Sequence, residues 1–393
     1  MRVLFLTQRL PYAPNRGDRI RAYYLLREMS RFARVSLFSL IHDDEEASHV
    51  GGMPFAADVA GARVTRLRNL VRGASLLASR RPLTHSLLDA PDAHAQLGTL
   101  VAAHPPDVVV AFCSSMARFA LESPLDGRPF VLDMVDVDSA KWRALAAQSR
   151  GPRRWIYRRE ADTLSAFEKT ATGRAATTLV VNDRERAALE HVAPNARISV
   201  VENGIDVEAF LPAGPPVAAP VVIFCGVMSY YPNEEGVRWF AESVWPKVRA
   251  ATPAARFLVV GTGATRAIQR LAEIDSSIEV LGRVPEVQPH LWRSAISVAP
   301  LRLARGLQNK VLEAIAAGLP VVVTPAVWDG LPGEARAACA LAGDAEEFAQ
   351  AVVRLLAESP DDRRALALTA PLHRLTWAQR LNGLEAILNA AVS

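Results

Sequence analysis

The sequence predicts an α/β protein with two Rossmann-like, doubly wound domains that face each other across a cleft. Short apolar runs alternate with amphipathic segments twice along the chain, and a proline-rich stretch separates the two series. Such runs are typical of parallel strands that helices bury on both faces. The length of 393 residues also exceeds what a single hydrophobic core usually supports.

The first series opens with a strand at residues 2–6. Its other predicted strands are Val35–Leu40, Val108–Phe112, Phe130–Leu132, Thr178–Val181 and Ile198–Val201. The segment Arg19–Phe32 has its large apolar side chains on roughly one face, which predicts an amphipathic helix. This series forms a predicted N-terminal domain at residues 1–206.

Four prolines between residues 212 and 220 predict a linker at 207–220, because proline interrupts both helices and strand ladders. The strands predicted after it are Val221–Cys225, Phe257–Val260, Ile278–Leu281, Ser297–Ala299 and Val321–Thr324. The helices predicted between them are Glu234–Ala251, Ala264–Ile274, Gln308–Ala317 and Ala345–Ala357. In the first of these helices we expect Asn233 as the N-cap and a kink at Pro246. The C-terminal domain is predicted at 221–370.

Composition narrows the class of protein. The three cysteines are far apart and include no C-x-x-C pair, which favours a reducing compartment over a disulfide framework or a zinc site. No uninterrupted apolar run is long enough for an export signal or a membrane span. Nothing resembles a nucleic-acid recognition motif. We therefore expect a cytoplasmic protein.

Two arginine-rich stretches carry the basic surplus of the first half, at Arg63–Arg81 and Arg150–Arg159. One interpretation is that both are solvated helix faces. The other is that they contact anionic lipid headgroups, or the diphosphate of a lipid-linked acceptor.

Ligands of doubly wound domains bind beyond the carboxyl ends of the strands, so candidate site residues are sought there. After the first strand, Gly17 permits backbone to approach a phosphate. Asp133, Asp136 and Asp138 follow the strand Phe130–Leu132. These aspartates fit a general base for an acceptor hydroxyl, a D-x-D metal site, or a helix N-cap at Asp138 before residues 141–147, and the three readings remain open.

Glycines follow several other strands. Asn203-Gly204 predicts a tight turn with positive φ. Gly226 follows Val221–Cys225, and Gly261 and Gly263 follow Phe257–Val260, where they permit close approach to a nucleotide. A third glycine and a well-spaced acidic residue are missing, so a dinucleotide cofactor is disfavoured.

The most informative segment follows the strand Ser297–Ala299. Its candidate residues are Arg302, Arg305, Gly306, Gln308, Asn309, Lys310 and Glu313. A basic loop leads into a short helix whose first amides can bind a diphosphate. Lys310 and Glu313 share one face of that helix; they either bind phosphate and ribose, respectively, or form an ordinary intrahelical ion pair.

These segments, with Gly282-Arg283-Val284 and Lys310–Pro320, resemble the family 4 glycosyltransferases of the GT-B fold along nearly the whole chain. More narrowly, Leu10–Pro14 with Gly17-Asp18, Asp136–Ser139, Gly226–Met228 with Tyr231–Asn233, and Ala304–Glu313 resemble the sugar transferases of exopolysaccharide loci associated with the PEP-CTERM/exosortase system.

The resemblance implies a nucleoside-diphosphate sugar (NDP-sugar) as donor, bound by the C-terminal domain, with retention at the anomeric carbon and neither metal nor cofactor. It implies that residues 371–393, including Trp377, cross back to the N-terminal domain. The sequence departs from the family at Arg305, which replaces the first of two glutamates. It departs again at Asn233, which stands where a phosphate-binding lysine is usual, and at 136–138, where aspartates replace a histidine.

The leading hypothesis is a retaining, hexosyltransferase-type enzyme that acts on a lipid-linked or polysaccharide acceptor, with peripheral contact between the N-terminal domain and an anionic membrane and no nucleic-acid partner. The predicted catalytic residues are Asp136, Asp138, Arg305 and Lys310. The predicted donor-binding residues are Gly17, Asn203, Gly226, Gly261, Gly263, Arg283, Arg302, Gly306, Gln308, Asn309 and Glu313. Two alternatives remain: a UDP-sugar 2-epimerase, and a non-catalytic subunit that binds a partner transferase.

Overall fold

The structure, a computed structural model, describes residues 1–14, 17–65, 69, 79, 81–304 and 307–392. The chain divides into two compact units. The first comprises Met1–Glu202 together with Leu381–Ser393, and the second comprises Asn203–Arg380. Each unit contains its own parallel sheet and its own buried apolar core. Both sheets carry helices between their strands, as the alternating sequence pattern predicts.

In the described part of the first unit, seven parallel strands form one sheet in the order β3-β2-β1-β4-β5-β6-β7. The strands are β1 Arg2–Thr7, β2 Arg34–Ile41, β3 Asp58–Arg63, β4 Val108–Phe112, β5 Phe130–Val135, β6 Thr177–Val180 and β7 Ile198–Val200. Val3 of β1 pairs with Val35 on one side and Val108 on the other. The edge strand β3 was not predicted, because its six residues contain no continuous run of large apolar side chains.

The helices of the first unit connect these strands. They are α1 Gly17–Met29, α2 Asp44–His49, α3 Leu83–Leu87, α4 Ala93–Ala103, α5 Ser114–Ala120, α6 Asp138–Gln148, α7 Gly151–Arg174 and α8 Asp183–Val192. A 3₁₀ turn follows α2 at Val50–Gly52. Helices α6 and α7 are consecutive and pack against each other.

In the second unit, six parallel strands of the described chain form a sheet in the order β10-β9-β8-β11-β12-β13. They are β8 Val221–Cys225, β9 Arg256–Val260, β10 Ile278–Gly282, β11 Ile296–Ala299, β12 Val321–Val323 and β13 Cys339–Leu341. The five predicted strands are confirmed within a residue or two at each end. The edge strand β13 was not predicted, because its three residues are only partly buried and form no run of large apolar side chains.

The second unit also contains most of the short helices. They are α9 Val207–Phe210, α10 Tyr231–Trp239, α11 Trp245–Ala251, α12 Arg266–Ile274, α13 Gln288–Trp292, α14 Asn309–Ala316, α15 Pro325–Trp328, α16 Gly333–Arg336, α17 Ala345–Ala357, α18 Pro360–Leu368 and α19 Trp377–Arg380. A 3₁₀ turn at Leu372–Leu375 precedes α19. The final helix of the chain, α20 Leu384–Val392, belongs to the first unit.

The segment predicted as one helix at Glu234–Ala251 differs in two respects. A π-helical turn at Phe240–Val244 separates α10 from α11, and Pro246 lies in the first turn of α11. Proline has no N–H to donate within a helix, so the ladder rearranges immediately before it. The predicted N-cap at Asn233 is wrong: α10 begins at Tyr231 with Tyr230 as its N-cap residue, because Pro232 is accommodated in a first turn.

The unit boundaries differ from those predicted at 206 and 371. Ile205 donates its N–H to the carbonyl of Leu375 at 2.7 Å and forms a bridge with Thr376, so both segments lie in the second unit. A Cβ on Gly204 would lie 2.3 Å from the backbone nitrogen of Trp377. Glycine is therefore required here for close backbone approach, and not for the positive φ that was predicted, since Gly204 is not among the residues with positive φ.

The last helix, α20, packs against β4 and β5 through buried Leu384 and Leu388. The part of the chain that joins the first unit thus begins at Leu381. None of the described helices is both long and apolar enough to cross a lipid bilayer.

Candidate functional site

Each sheet has a point where the strand order reverses direction, and such switch points are the usual ligand sites of doubly wound folds. In the second unit the switch lies between the neighbouring strands β8 and β11. In the first unit it lies between β1 and β4.

Glycines hold the two loops after β8 and β9 together. Gly261 has a φ of 143°, and a Cβ on it would lie 1.8 Å from the carbonyl oxygen of Gly226. Gly263 has a φ of 73°, and a Cβ there would lie 2.8 Å from the hydroxyl of Ser229. A side chain at either position is strained in conformation and blocked by its neighbour. These glycines thus allow one loop backbone to rest on the other at the carboxyl end of the sheet.

Lys310 is positioned beside the first of these loops. Its ammonium donates to Oδ1 of Asn233 at 2.7 Å and lies 4.6 Å from the ring centroid of Phe224, the penultimate residue of β8. The other side of the Asn233 amide donates to the carbonyl of Val227 at 2.9 Å. A Cβ on Gly226 would lie 3.1 Å from the Lys310 ammonium. A lysine, an amide and a glycine backbone therefore converge at the end of β8.

Glu313 lies one turn further along α14, and its charge is coupled to that of Lys310. Burial raises the pKa of Glu313 to about 7, and the Lys310 charge offsets part of that rise. Burial lowers the pKa of Lys310 to about 8, against the opposing influence of Cys225 and Glu313. Burial also raises the pKa of the Cys225 thiol to about 12, so this thiol stays protonated. Lys310 therefore loses its proton at a lower pH than an exposed lysine, and a bound phosphate would favour its charged form.

The helix α14 begins at Asn309, so Lys310 lies in its first turn. Gln308 occupies the N-cap position, but its side chain does not cap the helix. Asn203, which is buried, donates to Oδ1 of Asn309 at 3.3 Å. The positive end of the helix dipole and uncapped amides favour an anion here. Arg305 and Gly306, also predicted for this site, lie outside the described residues.

The two remaining arginines of the predicted donor site are placed differently. Arg302 is exposed and forms an ion pair with Glu235 of α10, and its guanidinium lies 5.8 Å from the ring centroid of Trp239. Its charge is therefore already compensated by a carboxylate. Arg283 is exposed and directly follows Gly282 at the end of β10.

In the first unit, Asp133 is fully buried and pairs with Arg21 through a 2.9 Å hydrogen bond. Burial raises the pKa of Asp133, and the Arg21 charge opposes that rise. A carboxylate enclosed in this way supports the sheet and does not reach a substrate. Asp136 is half-buried, and it follows Val135, whose φ of 62° turns the chain out of β5.

Asp138 has a role other than the N-cap. Helix α6 begins at Asp138 itself, with Val137 as the N-cap residue. The Asp138 carboxylate accepts a 2.6 Å hydrogen bond from the hydroxyl of Ser114, which follows β4. The backbone amides of Val137 and Ser139 are instead satisfied from other helices. Glu185 accepts from Val137 at 2.8 Å and Glu168 accepts from Ser139 at 2.9 Å.

The D-x-D spacing of Asp136 and Asp138 gains no further ligands in the described chain. Among those residues, no group of three or more histidine, cysteine, aspartate or glutamate side chains is arranged to hold a metal ion. The Asp138 carboxylate instead accepts from the hydroxyl of Ser114, and the Asp133 carboxylate accepts from the backbone N–H of Val135.

Gly17 is the first residue of α1, and residues 15 and 16 before it lie outside the described chain. The loop that leads there from β1 is anchored by Arg19. This buried guanidinium donates to the hydroxyl of Tyr12 at 2.8 Å and to Glu46 at 2.6 Å. Gly17 thus lies at a fixed helix start near the carboxyl end of β1.

Four partners of the site residues escaped prediction: Asn233, Ser114, Glu168 and Glu185. Asn233 was predicted only as an N-cap, whereas its amide binds Lys310 and the carbonyl of Val227. Ser114 lies two positions after the buried strand β4, but no local pattern links it to Asp138, which lies 24 residues later. Glu168 and Glu185 lie at least 30 residues beyond Asp138 and occur in ordinary amphipathic helices. Nothing in their local sequence indicates that they cap another helix.

Comparison with known proteins agrees with this architecture. The model of the family described as "Glycosyl transferases group 1" matches residues 219–358, which contain β8, β11 and α14. No curated protein matches the sequence.

Solved structures match over almost the whole chain. A sucrose-phosphate synthase from Thermosynechococcus elongatus has a TM-score of 0.76 at 15% identity, covering 99% of this chain and 98% of that one. Anabaena HepE in complex with UDP-glucose has a TM-score of 0.67 at 15% identity, covering 99% of this chain and 100% of that one. WaaG, a glycosyltransferase involved in lipopolysaccharide biosynthesis, has a TM-score of 0.67 at 18% identity, covering 98% and 99%.

These comparisons and the two parallel sheets establish the GT-B fold for this chain, with a second unit that matches the glycosyl transferases group 1 over residues 219–358.

Proposed function

We propose that this protein is a retaining glycosyltransferase of family 4 that moves a hexosyl group from an NDP-sugar to a growing exopolysaccharide acceptor carried on a lipid. The observation that carries this proposal is the convergence of Lys310, Asn233 and the uncapped start of α14 on the glycine loop after β8. Anabaena HepE, which has the same fold, has been solved with UDP-glucose.

The donor diphosphate is held by charge and by backbone amides. Lys310 supplies a positive charge, and the first turn of α14 supplies N–H donors aligned with the helix dipole. Glu313, one turn along the same face, accepts from the ribose hydroxyls. Arg305 adds charge to the departing diphosphate, and Gly17 is assigned to backbone contact with a phosphate.

The reaction breaks the bond between the sugar C1 and the diphosphate oxygen. The electron pair leaves with the diphosphate, and the acceptor oxygen bonds to C1 with loss of its proton. Negative charge develops on the leaving oxygen in the transition state, so a fixed cation accelerates the step. We assign Lys310 and Arg305 to that charge, and Asp136 and Asp138 to orienting the acceptor hydroxyl. No step in this scheme requires a metal or cofactor.

The acceptor and cellular site are proposed from the resemblance to PEP-CTERM-associated sugar transferases and from one surface of the first unit. At the start of α7, Arg153, Arg154 and Arg158 are exposed, and Trp155 exposes 57% of its surface. None of these arginines forms an ion pair or hydrogen bond within the described residues. Basic and aromatic side chains together favour the headgroup layer of an anionic membrane. The protein would then work in the cytoplasm, at the inner face of the membrane.

A transfer assay tests the proposal. The purified chain is incubated with a labelled NDP-sugar, with or without a polyprenyl-diphosphate oligosaccharide. Acceptor-dependent release of the nucleoside diphosphate, with the label in the lipid fraction, is the expected result. Consumption of the NDP-sugar without acceptor would indicate the epimerase. Nucleotide binding without any turnover would indicate the non-catalytic subunit, and either outcome would contradict the proposal.

The anomeric outcome is tested on the same product. Retention predicts that the new glycosidic bond keeps the configuration of the donor, which NMR of the isolated product determines. An inverted product would refute the retaining assignment while leaving the transferase assignment intact.

A further inference from the structure

Glu168 has a buried carboxyl group that has no role in the proposed transfer reaction. Glu168 lies on α7 with no exposed surface. Its Oε1 accepts the N–H of Ser139 at 2.9 Å, and its Oε2 has no hydrogen-bond partner within the part of the chain that the structure describes. Burying a carboxylate with one oxygen unsatisfied costs folding free energy, and this cost favours the protonated form.

The geometry shows what Glu168 does for its neighbour. Val137, the N-cap residue of α6, has no side chain that can cap the helix. Glu168 and Glu185 replace such a cap by accepting the amides of Ser139 and Val137 from two neighbouring helices. Because these amides are satisfied from outside, Asp138 does not need to fold back onto its own helix. Its carboxylate is directed instead to the hydroxyl of Ser114 at 2.6 Å.

The charges around Glu168 favour its neutral form. Burial and then the negative charge of Asp138 raise the pKa of Glu168 to about 7, while hydrogen bonding from Ser139 and the charge of Arg143 act against that rise. Glu168 therefore exchanges its proton near neutral pH, in the range where an enzyme of this kind would work.

Titratable and charged side chains also come from the other helices that contact α7. They are Asp138 and Arg143 of α6, Glu185 of α8, Arg118 of α5, which donates to the carbonyls of His85 and Leu88, and His85 itself, whose ring lies edge-on to Phe167. Burial lowers the pKa of His85 to about 3, so this ring is neutral and does not titrate with Glu168.

We propose that Glu168 is a positioning residue for Asp138: by accepting the Ser139 amide it fixes the first turn of α6, and it leaves the Asp138 carboxylate to accept from the hydroxyl of Ser114. When Glu168 ionises, two carboxylates oppose each other across that turn, and the geometry between Asp138 and Ser114 is disturbed. This inference rests on the proposed function, because Asp138 is there assigned to the acceptor hydroxyl. It adds a second residue and a pH limit to that assignment.

The first experiment measures pH-dependent stability and requires no activity. The pKa of Glu168 is raised, so its stabilising contribution is complete below about 4.5 and is lost as pH rises through about 7. Glu168→Gln keeps an acceptor for Ser139 but cannot ionise. Relative to the native chain, its unfolding equilibrium constant should therefore fall between pH 5 and pH 8, on the order of a hundredfold.

Glu185→Gln is the matched control, since Glu185 is equally buried and also accepts a backbone amide of this turn. This control measures the cost of replacing a buried carboxyl group that accepts an amide of the same turn, so that this cost can be separated from the pH-dependent step expected for Glu168→Gln. A Glu168→Gln difference that is constant from pH 5 to pH 8 would overturn the proposal, whatever the transfer assay shows. If Glu168→Gln does not fold, infrared titration of Asp138→Asn replaces it: removing the Asp138 charge should let Glu168 ionise at lower pH, and an unchanged titration would overturn the proposal.

The second experiment measures kcat/KM for transfer against pH. If only the neutral form of Glu168 supports Asp138, the ratio of Glu168→Gln to native kcat/KM should rise about tenfold between pH 6 and pH 8. Any titration of Lys310 affects both proteins and cancels in this ratio. A constant ratio would overturn the positioning role and would mean that Glu168 serves only as a helix cap. If no variant shows transfer but the predicted pH-dependent change in stability is observed, the proposed function is contradicted. The ionisation of Glu168 would still stand.

Discussion

Lys310 of α14 donates a 2.7 Å hydrogen bond to Oδ1 of Asn233, which lies 77 residues earlier on α10. The Asn233 amide is itself fixed by the carbonyl of Val227 in the loop after β8. The cation is therefore not a freely moving side chain: two helices and one loop hold it at the switch point of the sheet. This arrangement keeps a partly buried positive charge where the donor diphosphate is proposed to bind.

Lys310→Ala should reduce kcat/KM for transfer by roughly a hundredfold, because a charge-assisted contact to the leaving diphosphate is worth about 3 kcal/mol. Steady-state kinetics with saturating acceptor measures the loss. Lys247→Ala is the matched control, since Lys247 of α11 forms an exposed pair with Glu346 and should leave kinetics unchanged. Equal kinetics for Lys310→Ala and the native chain would remove Lys310 from the mechanism.

Asn233→Ala should weaken nucleotide binding by about fivefold, because one hydrogen bond that orients Lys310 is worth about 1 kcal/mol. Isothermal titration with UDP measures the change. In the double variant with Lys310→Ala, the Asn233 substitution should cost little more, since its effect passes through Lys310. Additive losses would mean that Asn233 contacts the nucleotide independently of the lysine.

Nucleotide affinity should decrease with rising pH. The pKa of Lys310 is about 8 in the free protein because burial disfavours its charge. A bound diphosphate favours the charged form, so above pH 8 the lysine must take up a proton to bind. We expect Kd for UDP to increase about tenfold per pH unit between pH 8.5 and pH 9.5. Lys310→Ala should abolish this slope, and a slope that persists in the variant would assign the titration to another group.

Gly261→Ala should destabilise the second unit by about 3 kcal/mol or more, since the new Cβ would lie 1.8 Å from the Gly226 carbonyl at a φ of 143°. Gly98→Ala is the contrasting control: Gly98 lies within α4 with no atom near the added Cβ, and alanine should stabilise that helix by about 0.5–1 kcal/mol. Urea denaturation measures both variants. A stable Gly261→Ala chain would show that these loops do not pack as closely as described.

The basic surface of α7 predicts salt-sensitive binding to anionic vesicles. Replacing Arg153, Arg154 and Arg158 by glutamate should abolish flotation with phosphatidylglycerol vesicles at low salt, since each arginine near such a surface contributes about 1 kcal/mol. The native chain should lose binding at high salt as well. Reversing Arg238, Arg266 and Arg270, three exposed arginines of the second unit, is the matched charge control and should leave flotation intact. Flotation that survives the α7 substitutions would place membrane contact elsewhere.

Much of the fold was predictable because its signals are local. Fully apolar runs such as Val108–Phe112 and Val221–Cys225 are sufficient to indicate buried parallel strands. The edge strands β3 and β13 were not predictable, since they bury less and lack such runs. The start of α10 was predicted three residues too late, at Glu234. Asn233 looks like an N-cap by residue type, but its amide is used in a tertiary contact with Lys310.

The positions of two candidate residues were predictable from strand ends and helix starts. Gly261 and Lys310 fall after strands or at a helix start, and the structure places both at the end of β8. The support for Asp138 was not predictable, because Ser114, Glu168 and Glu185 come from three helices distant in sequence. These three residues come together only in the folded chain, so their spacing in the sequence does not predict the contact.

The most direct test of the central claim is a thermal-shift panel of UDP, GDP, ADP and their common sugars, with the native chain and Glu313→Ala. A ligand at about a hundred times its Kd stabilises the folded chain by roughly 2.7 kcal/mol, which raises Tm measurably. We expect a clear rise in Tm with one nucleotide base, and its loss or strong reduction in Glu313→Ala. No rise with any nucleotide, in a chain that is folded at the start of the scan, would contradict the donor site at Lys310 and Glu313.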